Sequence, residues 1–214
     1  MKAKPGGEKC FIEVAEDGPY LVSNLPRLQN SRGEAIPTKP VTALCRCGGS
    51  AKKPFCDGTH ARIGFSGRRL ADRPASRRVD YRGKRITIHD NRAVCSHAGY
   101  CTDTLASVFR MEADPWIDPD GAEVEKAIET IRRCPSGALS YSIEGVEYTG
   151  PDRGPAIAVS KDGPYLVTGG PALEDADSRP ESAEHYTLCR CGGSRNKPFC
   201  DGTHWEINFQ DENN

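Results

Sequence analysis

No stretch of this sequence stays apolar for the ~18 residues that a bilayer span requires. Its 214 residues are only 36% hydrophobic, with 2 methionines, 2 tryptophans and 7% aromatic residues. The mean hydropathy is -0.61. This excludes a membrane-spanning helix and leaves no methionine or aromatic stripe for a cofactor. The opening Met1-Lys2-Ala3-Lys4-Pro5-Gly6-Gly7 lacks an apolar core, so a secretory leader is not expected. There is no phosphate-binding glycine loop, no Ser/His/Asp order and no paired carboxylates in a catalytic context. The expectation is therefore a protein that is not an enzyme. What the chain does have is 22 glycines, 16 prolines and 10 cysteines. The first two predict short strands and many turns. The cysteines fall below the density of a small secreted disulfide scaffold, so the thiols need another explanation.

The sequence repeats itself, and the repeat organises everything else. CRCGGSAKKPFCDGTH at 45–60 returns as CRCGGSRNKPFCDGTH at 189–204, differing only at positions 51 and 52. DGPYLV at 17–22 returns at 162–167. Each copy opens with a predicted hairpin. Phe11-Ile12-Glu13-Val14 and Ala156-Ile157-Ala158-Val159 are the outgoing strands, and Asp17-Gly18 and Asp162-Gly163 are the turns. Tyr20-Leu21-Val22 and Tyr165-Leu166-Val167 return. A loop containing proline and serine then leads to the cysteine motif. Three domains are expected: 1–70, 78–150 and 151–214, with the polar stretch 66–78 reading as a linker.

Between the copies, 79–88 reads as a hairpin around Gly83. Residues 122–133 put Val124, Ala127, Ile128 and Ile131 on one helical face. Arg132 and Arg133 suit that helix's C-terminus, and Pro135 stops it. A last hairpin is expected around Gly145. Charge divides unevenly: the net is +6 over 1–70, -2 over 71–150 and -5 over 151–214, which gives the overall -1. Oppositely charged copies suit each other as intramolecular partners, so neither nucleic acid nor membrane is expected as a partner.

Each repeated motif has the spacing C-x-C-x8-C-x3-H: Cys45, Cys47, Cys56 and His60, then Cys189, Cys191, Cys200 and His204. Three thiolates and an imidazole suit one tetrahedral zinc or a two-iron cluster, and spacing alone does not separate them. A C-x-C step does not readily close into a disulfide. Each unit of about 60 residues is small enough to need a metal's help in folding. Pro54 and Pro198 stiffen the loop, and Gly48, Gly49 and Gly58 would let backbone approach a bound cluster. Arg46 and Arg190 lie between paired ligands, where they could offset cluster charge. Asp57 and Asp201 are expected to cap a following helical turn.

These residues resemble the CDGSH iron–sulfur (NEET) family. The matching positions are Cys45, Cys47, Ser50, Pro54 and Cys56-Asp57-Gly58-Thr59-His60, repeated as Cys189, Cys191, Ser194, Pro198 and Cys200-Asp201-Gly202-Thr203-His204. Thr59 and Thr203 stand where the family commonly has serine. The resemblance implies two [2Fe–2S] clusters, with Cys45 and Cys47 on one iron and Cys56 and His60 on the other, and the same in the second copy. It also implies that two such units pack about a two-fold axis. One thiolate fewer than in an all-cysteine site makes a cluster less negative and easier to reduce. Protons compete with iron for histidine near neutrality, so mild acid is expected to loosen the clusters.

The central group reads Cys95-Ser96-His97-Ala98-Gly99-Tyr100-Cys101, followed later by Cys134-Pro135. A ferredoxin run is C-x2-C-x2-C with a remote C-P. Here Ala98 takes the second ligand position. Residues 79–143 are similar to the divergent single-cluster ferredoxin domain family. Cys95, Cys101 and Cys134 could hold a third cluster, [3Fe–4S], or [4Fe–4S] with His97 or water as fourth ligand. The alternative is a decayed site with three buried thiols. Cys10, His89 and His185 stand alone and read as packing or surface residues.

The expectation is thus an α+β chain: two β-rich lobes forming an intramolecular pseudo-dimer, a ferredoxin-like insert packed outside it, and a monomeric protein. The expected function is electron transfer or iron–sulfur cluster transfer in a reducing cytoplasm. Its partner would be a redox protein or an apo iron–sulfur acceptor. The competing reading is a zinc-stapled interaction module without redox activity.

Overall fold

The structure, a computed structural model, describes residues 9–73, 75–148, 150, 153–174, 179–212 and 214. Residues 1–7, where a secretory leader was sought, lie outside these. The chain is β-rich, with four short helices among the described residues, and its class is α+β.

The predicted hairpins form. β1 (Phe11–Val14) pairs antiparallel with β2 (Tyr20–Ser23), and β4 (Val41–Leu44) joins the other side of β2. In the second copy β9 (Ala156–Val159), β10 (Tyr165–Thr168) and β12 (His185–Leu188) repeat the arrangement. Alternation drives this, because Ile12, Tyr20 and Val22 turn inward with Ile157, Tyr165 and Val167. Both turns take their left-handed residue from aspartate, Asp17 (φ 44) and Asp162 (φ 46), rather than from the glycine that follows.

The loops between hairpin and motif each hide a strand that sequence reading missed. β3 (Leu28–Gln29) leaves the first copy and pairs parallel with β9 of the second. β11 (Ala172–Glu174) of the second pairs parallel with β1 of the first. Each lobe's sheet is therefore completed by the other lobe, in the orders β11-β1-β2-β4 and β12-β10-β9-β3. One apolar cluster spans both, from Ile12, Val22 and Leu28 to Ile157, Val167 and Leu188. At its centre the Tyr20 and Tyr165 rings meet edge-to-face, 6.0 Å apart. The Tyr20 hydroxyl donates into the carbonyls of Cys189 and Pro198 (2.9 and 3.0 Å), and the Tyr165 hydroxyl into those of Cys45 and Pro54 at the same distances. Two further reciprocal contacts lie outside the centre, Lys53 over the Phe209 ring and Lys197 over that of Phe65.

The insert has its own sheet, β5 (Val79–Arg82), β6 (Thr87–Asp90), β7 (Leu139–Ile143) and β8 (Val146–Tyr148) in that order. In chain order, α1 (Thr59–Arg62) follows the first motif. α2 (Tyr100–Thr104) and α3 (Val124–Arg132) belong to the insert. α4 (Thr203–Glu206) follows the second motif. α3 buries Val124, Ala127 and Ile131 of the predicted face, with Ile128 half-buried and Thr130 buried as well, against Ile88, Phe109 and Tyr141. The insert does not sit apart from the lobes. Its Val94 and Ala138 belong to the lobes' shared apolar cluster, and Cys95 and Cys134 pack on that cluster. The supposed linker is also docked. Leu70 N–H donates to Arg195 O at 2.9 Å, Arg69 Nε to Lys197 O at 3.0 Å, and Asp72 pairs with Arg195.

Candidate metal centres

In the first copy Cys45 directly follows β4, and Cys47, two residues on, lies beside it with the sulfurs 3.8 Å apart. Cys56 leads into α1, whose first turn carries His60 with Nδ1 3.4 Å from the Cys56 sulfur. The second copy repeats both pairs: Cys189 and Cys191 at 3.8 Å, Cys200 and His204 Nδ1 at 3.5 Å. Backbone amides already point at sulfur, with Gly58 N–H to Cys56 Sγ at 3.5 Å and Gly193 N–H to Cys191 Sγ at 3.4 Å. All of these cysteines are free thiols.

The repeated geometry comes from short polar clamps. The Asp57 carboxylate accepts from Thr59 N–H at 3.0 Å and Ala51 N–H at 2.9 Å, and Asp201 does the same with Thr203 and Arg195. A hydrogen bond from the Thr59 side chain, followed by the Ala51 and Thr59 amides, holds the Asp57 carboxyl well below the usual carboxylate range. Each aspartate thus fixes the start of its helix from one position before the left-handed glycine, Gly58 or Gly202. Ser50 and Ser194 hydroxyls donate to Phe55 O and Phe199 O, both at 2.7 Å.

Two expected roles change. Gly48 is glycine because the lobes meet there: a Cβ would lie 2.3 Å from Cys191 O, and one on Gly192 would lie 2.5 Å from Cys47 O. The cysteine loops therefore press on each other across the molecule. Arg46 and Arg190 are buried but turn toward the hairpins instead of the sulfurs. Arg46 donates to Ala15 O and Gly67 O. Arg190 donates to Gly163 O and Ser160 O and pairs with Asp211.

The central thiols line one cavity of about 290 Å³, together with Asp90, Arg92, His97 and Trp116. Cys95 ends a 3-10 turn (Arg92–Val94), Cys101 sits on α2, and Cys134 follows α3. The space far exceeds what one water needs. Burial pushes the Cys101 thiol up to about 11, and the neighbouring Cys134 and Cys95 add to that. Arg92 Nη1 lies 3.6 Å from the Cys95 sulfur and its guanidinium stacks 3.8 Å over the Trp116 ring. Asp90 is a residue sequence reading missed. It is 3% exposed and its Oδ1 has no hydrogen-bond partner. Nothing in the sequence flags it, since only the fold carries it to the cavity wall.

The family model described as "Iron-binding zinc finger CDGSH type" matches residues 17–61 and 162–205. The model described as "Divergent 4Fe-4S mono-cluster" matches residues 81–144. "Uncharacterized protein YjdI" of Escherichia coli, in strains K12 and O157:H7, is 39% identical over 61 residues, which are 28% of this chain and 80% of that protein. No solved structure matches. The chain belongs to the CDGSH iron-binding family. It is a tandem CDGSH protein whose two copies flank a divergent mono-cluster ferredoxin segment, and it binds an iron–sulfur cofactor.

The donor set of this CDGSH protein can be tested against a single metal ion. Structural zinc needs four donors converging on one point. Among the described residues no three His, Cys, Asp or Glu side chains converge that closely. Each motif instead offers two donor pairs, the arrangement that two metal atoms sharing bridging sulfides would use. The expected isolated residues behave as packing. Cys10 is buried in the lobe core, His89 sits between Asp80 and Ser142 at 2.7 and 3.1 Å, and His185 is buried beside Glu184. No helix among the described residues is long and apolar enough to cross a membrane.

Proposed function

We propose that this CDGSH protein is an electron or iron–sulfur cluster carrier, not an enzyme. It would hold one [2Fe–2S] cluster on Cys45, Cys47, Cys56 and His60 and a second on Cys189, Cys191, Cys200 and His204. The observation that carries this reading is the division of each donor set into two close pairs, 3.8 Å for the cysteines and 3.4 to 3.5 Å for the Cys–His pairs. When bound, such clusters supply one-electron redox chemistry. The chain's own residues orient the donors through the Asp57 and Asp201 clamps and offer amide hydrogens to the sulfurs. Burial lowers the proton affinity of His204, which favours its metal-binding form.

A third cluster, [3Fe–4S] or [4Fe–4S], would occupy the cavity of Cys95, Cys101 and Cys134. The exchanged strands β3 and β11 and the paired Tyr20 and Tyr165 bonds support an intramolecular pseudo-dimer, hence a monomer. The partner would be a redox protein or an apo iron–sulfur acceptor, in a reducing cytoplasm where thiols persist.

Anaerobic purification with iron, sulfide and zinc analysis and a visible spectrum tests this. About four irons and four sulfides per chain would establish the two outer clusters, and about seven or eight irons would add the central one. Colourless protein with about two zincs would replace the redox reading with a zinc-stapled interaction module.

A further inference from the structure

The two CDGSH motifs are nearly identical in sequence, yet one end of each meets a different environment. In the first copy Cys56 and His60 are half-buried, and a Cβ on Gly58 would meet nothing within 4 Å. In the second, Cys200 and His204 are buried, and a Cβ on Gly202 would lie 2.7 Å from Cδ2 and 2.9 Å from Cγ of the His97 ring. The covering residue comes from the three-cysteine loop of the insert. That loop is fastened in place by Asn196 Nδ2, which donates to Ala93 O at 2.6 Å.

At their opposite ends the two motifs press together, Gly48 on Cys191 O and Gly192 on Cys47 O. The order through the molecule is therefore fixed. The central cavity adjoins the Cys200 and His204 end, the Cys189 and Cys191 end adjoins Cys45 and Cys47, and the Cys56 and His60 end faces outward.

We propose that the three sites form a one-electron relay, running from the central cavity through the second CDGSH site to the first. The proposal rests on the reading above that all three sites hold clusters. An external low-potential one-electron donor loses one electron to the site of Cys95, Cys101 and Cys134. That site is reoxidised as the site of Cys189, Cys191, Cys200 and His204 is reduced. The same electron next reduces the site of Cys45, Cys47, Cys56 and His60, and leaves to an external one-electron acceptor. No bond forms or breaks and no proton is required. The cavity rim carries the exposed Tyr100 and Met111, which gives the donor a surface to meet, while the acceptor meets the outward Cys56 and His60 end. The middle site exchanges electrons with its neighbours because the insert covers it. Asn196 is a positioning residue whose bond to Ala93 O holds the first two sites in register.

The test uses the full chain, loaded with iron and sulfide and titrated with dithionite while its electron paramagnetic resonance spectrum is followed. The expected result is a split or broadened spectrum from two interacting centres. Cys101→Ser, which removes a central ligand, should abolish the part of the splitting due to the central site and leave only the mutual interaction of the two CDGSH sites. Asn196→Ala, which removes the bond to Ala93 O, should keep the iron and sulfide content yet narrow the splitting. Additive, non-interacting signals from a chain with all three sites filled would overturn the relay. So would a chain holding about four irons, since the central site would be empty while the carrier reading stood. Colourless zinc protein would overturn both.

Discussion

Asp90 shows what a single side chain can contribute against its own burial. Its carboxyl is pushed up to about 6 by desolvation, which Arg92 at 3.6 Å and a bond with Trp116 only partly offset. Tyr81, Arg92 and Trp116 are the polar groups around it. The folded chain therefore holds this proton more tightly than the unfolded chain does. The carboxyl is harmless below the ordinary carboxylate range. It destabilises progressively as pH rises through the window from there to about 6, reaching about 3 kcal/mol above it. Asp90→Asn should raise the unfolding temperature by several degrees at pH 8, with a smaller gain at pH 5. Equal gains at the two pH values would show that the charge is not responsible. The clamp residues Asp57 and Asp201 make the opposite case, because their carboxylates are fully used and their roles were legible from position alone.

At the scale of the element, the shortest strand carries an outsized share. β3 is two residues long, yet Leu28 on it is 1% exposed and pairs with Ile157 of the other lobe. Leu28→Ala should cost about 2 to 5 kcal/mol, as large-to-small core changes do, measured by the denaturant midpoint at unchanged slope. A loss of only a few tenths would mean the exchanged strand is peripheral. The hairpins, α3 and the motif loops were legible because each carries a local signal: alternation, a helical stripe, or aspartate–glycine and proline punctuation. β3 and β11 were not, because their partners lie in the other copy and a strand of two or three residues has no period to read. α2, which carries Cys101, is only five residues long and escaped for the same reason.

The whole molecule makes two copies of one motif unequal. The insert and residues 69–72 pack on 195–202, so the second site is buried and the first is half-buried. Exposure governs attack by reagents, and metal loss and unfolding are linked. Challenge with an iron chelator should therefore proceed in two phases, the faster from the first copy. Alkylation during that challenge, read by mass spectrometry, should modify Cys56 before Cys200. A single phase with equal labelling would show that the cover opens freely. Complete metal removal should lower the unfolding temperature, since each lobe is small and its donors lose their common partner.

The sequence by itself marked the candidate donors and the family they resemble. Spacing named eight donors in two sets and three thiols in a third, and the repeat declared two equivalent units. The motif is a local object, so its donors are brought together by turns of a few residues that the sequence spells out. What the tertiary structure alone decided is which site faces which. That depends on contacts such as His97 on Gly202 and Gly48 on Cys191, between residues about a hundred positions apart or more. Such contacts arise where separate surfaces happen to fit, and surface complementarity leaves no periodic mark in the chain.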